Sequence, residues 1–464
     1  MSSIATLRPR ENSLAALLLV AAVGAALGFF LWNLTGIEPA KLCFPLAVAL
    51  FSLLALIRLP AAILVYLAAA GSSRSWQFFV LRGKSTQGGI FLSQVFLVIL
   101  LFTWMLQFLA TRRSGLVRSS LTWPLLALAF APLLSLLSTY ITWDPAVSTE
   151  HRKLVVQLAG AALVSLSCAA ALLVGSAITN LSQVKSAWRI LAPLAALAFL
   201  DMAGILHTPG RIFAYAAAPL AFSFSLHSRS FFARIGLLLL ILPPLVMSVL
   251  AIKFTLIVAV LFPLLAISFV HSRRAFLSTL CLLALGYALL FLVLGTSPWH
   301  IGLRKVAAVS DLDRVVLFRQ AISIWKGHWL FGIGPGGQFA YFGGERYYGT
   351  AHSLYANFLL ETGVVGIIAL LWLLGRALSL GPRLYRQLPD SFSRAFVLGQ
   401  WGGLAGLAAA GLLSDTLLPA VQNQGMFTFG ASVYSWLLLG FSLALPRLHQ
   451  QENGPRDGPF HLYH

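Results

Sequence analysis

Charged side chains are scarce in this sequence, and acidic ones are the scarcest. Only 10% of the 464 residues are charged, and 13 Asp and Glu stand against 32 Lys and Arg. A soluble globular protein carries about 25% charged residues, so a chain with 59% hydrophobic residues and a mean hydropathy of +0.87 is not of that class. The composition predicts an integral membrane protein, and its wealth of Leu, Ala, Val and Phe favours spanning helices over the alternating strands of a barrel.

Residues that bind metals or form disulfides are also few. Cys43, Cys168 and Cys281 all lie inside apolar runs with no disulfide or zinc spacing, and we expect buried thiols. The sequence has no paired His and Cys metal motif and no serine nucleophile elbow. We therefore expect chemistry that needs no metal and no cofactor.

The net charge of +19 does not indicate a nucleic-acid partner, because the basic residues lie in short loops between apolar runs. That distribution is typical of membrane orientation, in which Lys and Arg mark cytoplasmic loops. Four loops agree with one another: Arg112, Arg113 and Arg118; Arg229 and Arg234; Arg273 and Arg274; and Arg376, Arg383, Arg386 and Arg394. With these loops in the cytoplasm, the basic stretch Arg74, Arg82 and Lys84 falls on the outer side, which does not fit the rule.

Apolar runs of roughly 20 residues predict an all-α polytopic membrane protein with about 12, and at most 14, transmembrane helices. The first run, Leu14–Leu34, is too long for a signal-peptide core, and Leu59–Val80 would supply the optional span. We expect N-terminal transmembrane helices over 1–294, an extracytoplasmic loop over 295–352, C-terminal transmembrane helices over 353–446 and a cytoplasmic tail over 447–464. The remaining predicted spans are Leu42–Ile57, Gly89–Ala110, Leu121–Thr142, Leu154–Thr179, Trp188–Leu206, Ile212–Leu226, Ile235–Leu250, Phe254–Val270, Ala275–Leu294, Ser353–Leu374, Ala395–Ser414 and Phe427–Leu445.

The loop over 295–352 has an unusual content for the outer side of a membrane. Its basic residues are Arg304, Lys305, Arg314, Arg319, Lys326 and Arg346. Its many aromatic residues suit either a surface helix over Leu317–Trp329 at the lipid interface or stacking on sugar rings. An interfacial helix alone does not explain the excess of arginine, so we expect the loop to bind an anion. Arg211 and Lys253, each at a predicted outer end of a span, are expected to join Arg314 and Arg319 in a positive cluster.

Two motifs lie at the C-terminal end of this loop. Phe331–Gly337 contains a Gly-x-Gly-x-x-Gly pattern, but no ribose-binding acid in a βαβ unit follows, so we interpret it as a tight turn. His352 then precedes a span in which Ser353, Asn357 and Glu361 recur at four-residue spacing and share one helical face. Polar residues in a membrane helix normally face the bundle interior or a wet cavity. This pattern makes His352 the candidate general base, with Glu361 in a structural role.

The segment Asp313–Gly337, followed by His352-Ser and then Leu-Leu-Glu-Thr-Gly363, resembles the O-antigen ligase and polymerase superfamily of membrane glycosyltransferases. The detailed resemblance covers about fifty residues. It implies a metal-independent GT-C enzyme of the bacterial inner membrane, with its active site facing the periplasm. Arg314 matches the family's loop arginine and His352 its proposed base. Arg211 matches a second arginine by context, although the asparagine that usually follows is absent, and Lys253 replaces a missing Ser-Arg pair.

The resemblance favours an O-antigen ligase, which transfers a glycan from undecaprenyl diphosphate to a sugar hydroxyl of lipid A–core. His352 would deprotonate the acceptor, and arginines would hold the diphosphate of the leaving group. An O-antigen polymerase uses the same donor with another lipid-linked glycan as acceptor, and a protein O-oligosaccharyltransferase is a third member of the group. A transporter or flippase is the competing class, for which repeat symmetry and paired broken helices are expected. Besides donor and acceptor, only membrane lipids are expected partners.

Overall fold

The computed structural model describes residues 39–72, 77–80, 89–111, 116–141, 154–203, 210–250, 254–294, 311–338, 353–415, 417–419 and 428–453. These residues are helical apart from turns and one pair of short strands, β1 (Gln77–Val80) and β2 (Gly89–Phe91), which run antiparallel. The helices of the first half are α1 (Pro39–Ile57), α2 (Leu59–Ala69), α3 (Leu92–Thr111), α4 (Thr122–Ile141), α5 (Leu154–Ala177), α6 (Leu181–Met202), α7 (Gly210–His227), α8 (Phe231–Leu239) and α9 (Leu242–Leu250). Those of the second half are α10 (Phe254–His271), α11 (Arg273–Leu294), α12 (Asp311–Gly327), α13 (Leu354–Gln387), α14 (Ser391–Ala410) and α15 (Thr428–Asn453).

Six helical stretches among the described residues are long and apolar enough to cross a membrane. They are Leu92–Ala110, Thr122–Ile141, Leu154–Ala177, Phe231–Val249, Leu354–Gln387 and Thr428–Gln451, and four shorter apolar helices accompany them. Large apolar side chains are exposed along several helices, with Phe232 at 83% and Leu292 at 74% of full exposure. Exposed apolar surface of this extent suits contact with lipid, so the fold is that of a helical membrane-embedded protein.

Several predicted spans differ from the observed helices. Predicted span Ser353–Leu374 continues in α13 to Gln387, so Arg376, Arg383 and Arg386 lie in a helix and not in the predicted loop. Predicted span Ile235–Leu250 is divided between α8 and α9, because Pro243 and Pro244 suit the first turn of a helix and interrupt its interior. Among the described residues of Leu59–Val80, α2 is followed by a short 3-10 helix at Ala70–Ser72 and by β1. The start of predicted span Gly89–Ala110 belongs to β2, where Ile90 and Phe91 favour an extended backbone.

The C-terminal tail begins later than the sequence suggested. Residues 447–453, predicted to be tail, continue α15. The guanidinium of Arg447 donates to the carbonyls of Ser176 and Ile178, which satisfies acceptors left open at the end of α5. His449 Nε2 lies 3.0 Å from both Asp390 Oδ2 and Ser393 Oγ. These contacts hold the extra turns against the bundle.

Asp390 also begins α14, because its carboxylate accepts from the Ser393 backbone N–H at 2.9 Å. Burial by itself raises the pKa of the Asp390 carboxyl, but its contacts with His449 and Ser393 outweigh burial and hold that pKa well below its usual range. The carboxylate therefore stays charged and keeps both contacts at neutral pH.

The bundle core is formed by helices from both halves of the chain. Helix α15 packs along α5, α14 packs on α7 and α10, and α13 packs on α4. Tyr434 in the second turn of α15 is buried, donates from its hydroxyl to the Leu67 carbonyl at 2.9 Å and meets the Phe213 ring edge-on at 5.4 Å. Cys168 is buried in this core as expected, whereas Cys281 is exposed on α11.

Candidate functional site

The candidate site is built where the glycine-rich turn meets a break in α13. The turn follows α12 and covers residues 328–338, in agreement with its sequence interpretation. Within α13, Gly363 has φ +64° and ψ −163°, so the helix is interrupted there. Both features lie close in sequence to His352, which itself falls outside the described residues, as does Lys253.

Turn and helix exchange backbone hydrogen bonds at this break. In an uninterrupted helix the N–H of Val364 would donate to the Leu360 carbonyl, and that of Val365 to the Glu361 carbonyl. Instead, Val364 N–H donates to Trp329 O at 2.9 Å and Val365 N–H to Leu330 O at 3.2 Å. The two freed carbonyls accept from the turn, with Ile333 N to Leu360 O and Gly334 N to Glu361 O both at 3.0 Å. We call this exchange the spliced turn.

Side chains reinforce the spliced turn. The Glu361 carboxylate accepts from the Gly336 N–H at 3.0 Å, and the Ser135 hydroxyl of α4 donates to the Glu361 carbonyl. Gly332 has φ +74°, and a Cβ at this position would meet the backbone of Glu361. A larger residue at position 332 would therefore push the turn away from α13. Glu361 thus has the structural role expected from its place in the polar stripe.

A small apolar cluster fastens α12 to the same place. Ala321, Ile333 and Leu360 pack together, joined by the partly buried Ile324 and Trp325. One residue comes from α13, one from the turn and the others from α12. The helix that carries Arg314 is therefore attached to the helix that follows His352.

A buried polar network begins at Gln338, where the spliced turn ends. Asn357 Nδ2 donates to Asp415 Oδ1 at 2.8 Å, and Gln338 Nε2 donates to Asn357 Oδ1 at 3.4 Å. All three side chains are buried. The Gln338 Oε1 atom has no hydrogen-bond partner among the described residues, so it offers an acceptor inside the network. A buried polar network in a membrane helix bundle typically faces a substrate path or a wet cavity.

Asp415 was not singled out in the sequence, although a signal was present. It follows directly after the predicted span Ala395–Ser414, and acidic residues at the edge of a span are costly and often functional. The structure positions it through two contacts between neighbouring chain segments. Leu354 N–H donates to Gly411 O at 2.8 Å, and Tyr355 Oη donates to Ala408 O at 2.7 Å. The start of α13 and the end of α14 are thereby joined.

The predicted cationic residues are placed on two different elements. Arg314 and Arg319 belong to α12, which packs on α13, and Arg211 is the second residue of α7, which packs on α6 and α14. Arg319 is exposed, and the side chains of Arg314 and Arg211 lie outside what the structure describes. Arg314 precedes Ala321 by seven residues, about two helical turns, and so occupies the same helical face. The convergence of these residues on one anion remains a prediction.

The expectation of a metal-free site overlooked one pair of acidic residues. Asp311 and Asp313 form an Asp-x-Asp sequence at the start of α12, next to Arg314. Closely spaced carboxylates are the ligands that Mg²⁺ and Mn²⁺ prefer. Metal independence therefore needs a direct experiment.

Replacement of Asn357 by leucine is expected to lower the free energy of unfolding by about 1–3 kcal/mol, because Asp415 loses a buried amide donor. Thermal unfolding of the purified protein in detergent measures the effect. Ser379→Ala is the matched control, since Ser379 is exposed on the same helix and bonds only to the Arg376 carbonyl within its own helix. A melting temperature for Asn357→Leu equal to that of the control would show that the network contributes nothing to stability.

Comparison with known proteins does not indicate a function for this chain. No description of a protein family matches the chain, and no curated protein is similar to it in sequence.

Proposed function

We propose that this protein is an O-antigen ligase of the GT-C type in the bacterial inner membrane. It transfers a glycan from undecaprenyl diphosphate to a sugar hydroxyl of lipid A–core. The observation that best supports this proposal is the spliced turn. It attaches α12, which contains Arg314, to the helix that follows His352. A base and a cation fixed relative to each other are what an inverting transfer from a diphosphate donor requires.

In the proposed mechanism, His352 takes the proton from the acceptor hydroxyl as its oxygen attacks the anomeric carbon of the donor sugar. The bond to the diphosphate oxygen breaks at the same carbon, and the lipid diphosphate leaves with the electron pair. Arg314, with Arg211, Arg319 and Lys253, stabilises the negative charge that develops on that leaving group. The buried Gln338–Asn357–Asp415 network supports the start of α13 and supplies polar groups for sugar hydroxyls.

The same proposal places the loop 295–352 outside and the four arginine-rich loops inside, within an arrangement of about twelve spans. Labelling of single cysteines with a membrane-impermeant reagent tests the sidedness. Label that reaches positions 311–350 only from the cytoplasm would reject both the topology and the mechanism, because the proposed donor is used on the outer face.

Purified protein in nanodiscs is expected to form a glycan–lipid A–core product from an undecaprenyl-diphosphate-linked glycan, and to do so in the presence of EDTA. Transfer to a second lipid-linked glycan instead would identify a polymerase, and transfer to an acceptor protein an O-oligosaccharyltransferase. Loss of activity in EDTA that Mg²⁺ or Mn²⁺ restores would assign a metal role to Asp311 and Asp313. Movement of the donor across sealed liposomes without any transfer would identify a flippase and reject the proposal.

A further inference from the structure

An open apolar groove lies among α7, α8, α9, α10 and α11, away from the candidate site. Its volume is about 180 Å³, and its lining includes Phe222, Leu238, Leu264, Thr279 and Leu283. All of the lining side chains except Thr279 are apolar. The groove is open to the lipid-exposed surface of the bundle, where α11 is exposed along most of its length. A lipid chain is the ligand that such a lining suits.

One end of this groove is strongly basic. Helix α7 ends at His227 and α10 ends at His271, and these two imidazole rings are 4.9 Å apart. The loop after α7 brings Arg229 to this end, and the first turns of α8 and α11 add Arg234, Arg273 and Arg274. All four arginines are exposed. They form what we call the arginine mouth of the groove.

No carboxylate offsets the arginine mouth within its own helices. The sequence has no Asp or Glu between Asp201 and Asp311, an interval that includes every helix lining the groove. Tyr385 and Arg394 are the neighbouring groups from the helices packed beside it, with Tyr385 Oη 3.0 Å from His271 Nδ1. The mouth is therefore a patch of uncompensated positive charge next to apolar surface.

The depth of the groove matches that of a membrane lipid. Leu238 follows Arg234 by four residues, and Thr279 and Leu283 follow Arg274 by five and nine. At 1.5 Å per helical residue, the lining begins about 6–8 Å and extends about 14 Å from the arginines. The polar layer on each side of a bilayer is roughly 5–8 Å thick. A lipid phosphate at the arginines would thus place its acyl chain in the groove.

The mouth lies on the opposite side of the membrane from the spliced turn. The unbroken part of α13 begins at Val364, which bonds to the spliced turn, and Tyr385, which contacts His271, comes 21 residues later. That separation is roughly 30 Å along a helix, which is the thickness of the hydrocarbon core of a bilayer. A donor whose diphosphate is held by the spliced turn could not place that diphosphate at the mouth.

We propose that the groove and the arginine mouth form a binding site for one anionic phospholipid of the cytoplasmic leaflet. The phosphate and headgroup are held by Arg229, Arg234, Arg273 and Arg274, and an acyl chain fills the groove. The site holds α8, α9 and α11 against the bundle, which suits helices with few buried side chains of their own. It stands independently of the proposed transferase activity.

The test uses the full-length protein in phosphatidylcholine nanodiscs containing a minor fraction of phosphatidylglycerol, with bound lipid counted by native mass spectrometry. Arg273→Gln/Arg274→Gln is expected to lower retention of phosphatidylglycerol about thirtyfold, since each of the two basic residues near the surface contributes about 1 kcal/mol toward an anionic lipid. Arg118→Gln/Arg376→Gln is the charge-matched control on two exposed arginines, one in the loop before α4 and one in α13, and its retention is expected to stay unchanged.

A second pair of variants tests the groove itself. Leu283→Trp fills it and is expected to displace phosphatidylglycerol, whereas Leu285→Trp, on an exposed position outside the lining, is not. If both double variants lost phosphatidylglycerol equally, the arginine mouth would act only as general surface charge. That result would overturn the proposal. Loss of undecaprenyl diphosphate rather than phosphatidylglycerol in Leu283→Trp would assign the groove to the donor chain and overturn it as well.

Discussion

Replacement of His352 by alanine is expected to lower the rate of glycan transfer by about 10²–10⁴-fold, the usual contribution of a general base. Binding of the donor is expected to stay nearly unchanged, because a neutral imidazole contributes little to holding a diphosphate. The transfer rate is measured in nanodiscs beside the affinity for undecaprenyl diphosphate, after each variant is shown to be folded in detergent. His328→Ala is a suitable control, since it removes another histidine near the turn and keeps the His328 backbone carbonyl that accepts from the Gly332 N–H.

The same two measurements separate the role of Arg314 from that of His352. Arg314→Ala is expected to weaken donor binding as well as transfer, because a charge-assisted hydrogen bond is lost in both the ground state and the transition state. Arg314→Lys is expected to restore only part of the loss, since an ammonium group cannot make a planar two-point contact. Rapid transfer by His352→Ala would reject the base, and unchanged donor affinity in Arg314→Ala would leave that arginine at the lipid surface.

Replacement of Gly363 by alanine is expected to give the largest effect of any change outside the reacting groups. The Gly363 backbone, with φ +64° and ψ −163°, lies in a region essentially restricted to glycine and costs an alanine about 1–3 kcal/mol. The added Cβ would also collide with the Leu330 backbone inside the spliced turn. The turn must then separate from α13. Since a shift of about 1 Å in a positioning element can cost on the order of 10²-fold in rate, we expect loss of both thermal stability and activity.

Gly375→Ala is the matched control for this change. Gly375 lies in the same helix, and a Cβ at that position meets no atom within 4 Å. Alanine there is expected to stabilise the protein by roughly 0.5–1 kcal/mol, because glycine is unfavourable inside a helix, and to leave transfer unchanged. If Gly363→Ala kept both the melting temperature and the rate of the Gly375→Ala protein, the spliced turn would have no part in forming the site.

The helices were predictable from sequence because long apolar runs leave the backbone few alternatives in lipid. The turn at Gly332–Gly337 was also predictable, since glycine and proline punctuate it. The break at Gly363 was not, because Glu-Thr-Gly-Val-Val-Gly inside an apolar run is compatible with a continuous helix. Its cause is a set of hydrogen bonds to Trp329 and Leu330, more than thirty residues away in the chain, and sequence spacing carries no record of such pairing.

The polar network illustrates the same limit. The stripe that contains Asn357 and Glu361 follows from helical periodicity, and both side chains are buried as that stripe predicts. The partner of Asn357 is Asp415, which is 58 positions further along the chain. Only the packing of α14 beside α13 brings the two together, so the network could not be derived from either segment alone.

The contact between Gln338 and Asn357 has a consequence for how such a protein can diversify. Gln338 ends the spliced turn and Asn357 lies one helical turn beyond Ser353, so the intervening 14 residues start and finish at nearly the same point. The entropy of closing such a loop rises only slowly with its length. Insertions or exchanges between positions 339 and 351 therefore leave the frame that carries Arg314 and α13 intact. If the protein is the proposed ligase, acceptor preference can change in that interval while the residues proposed to release the lipid diphosphate are inherited unchanged.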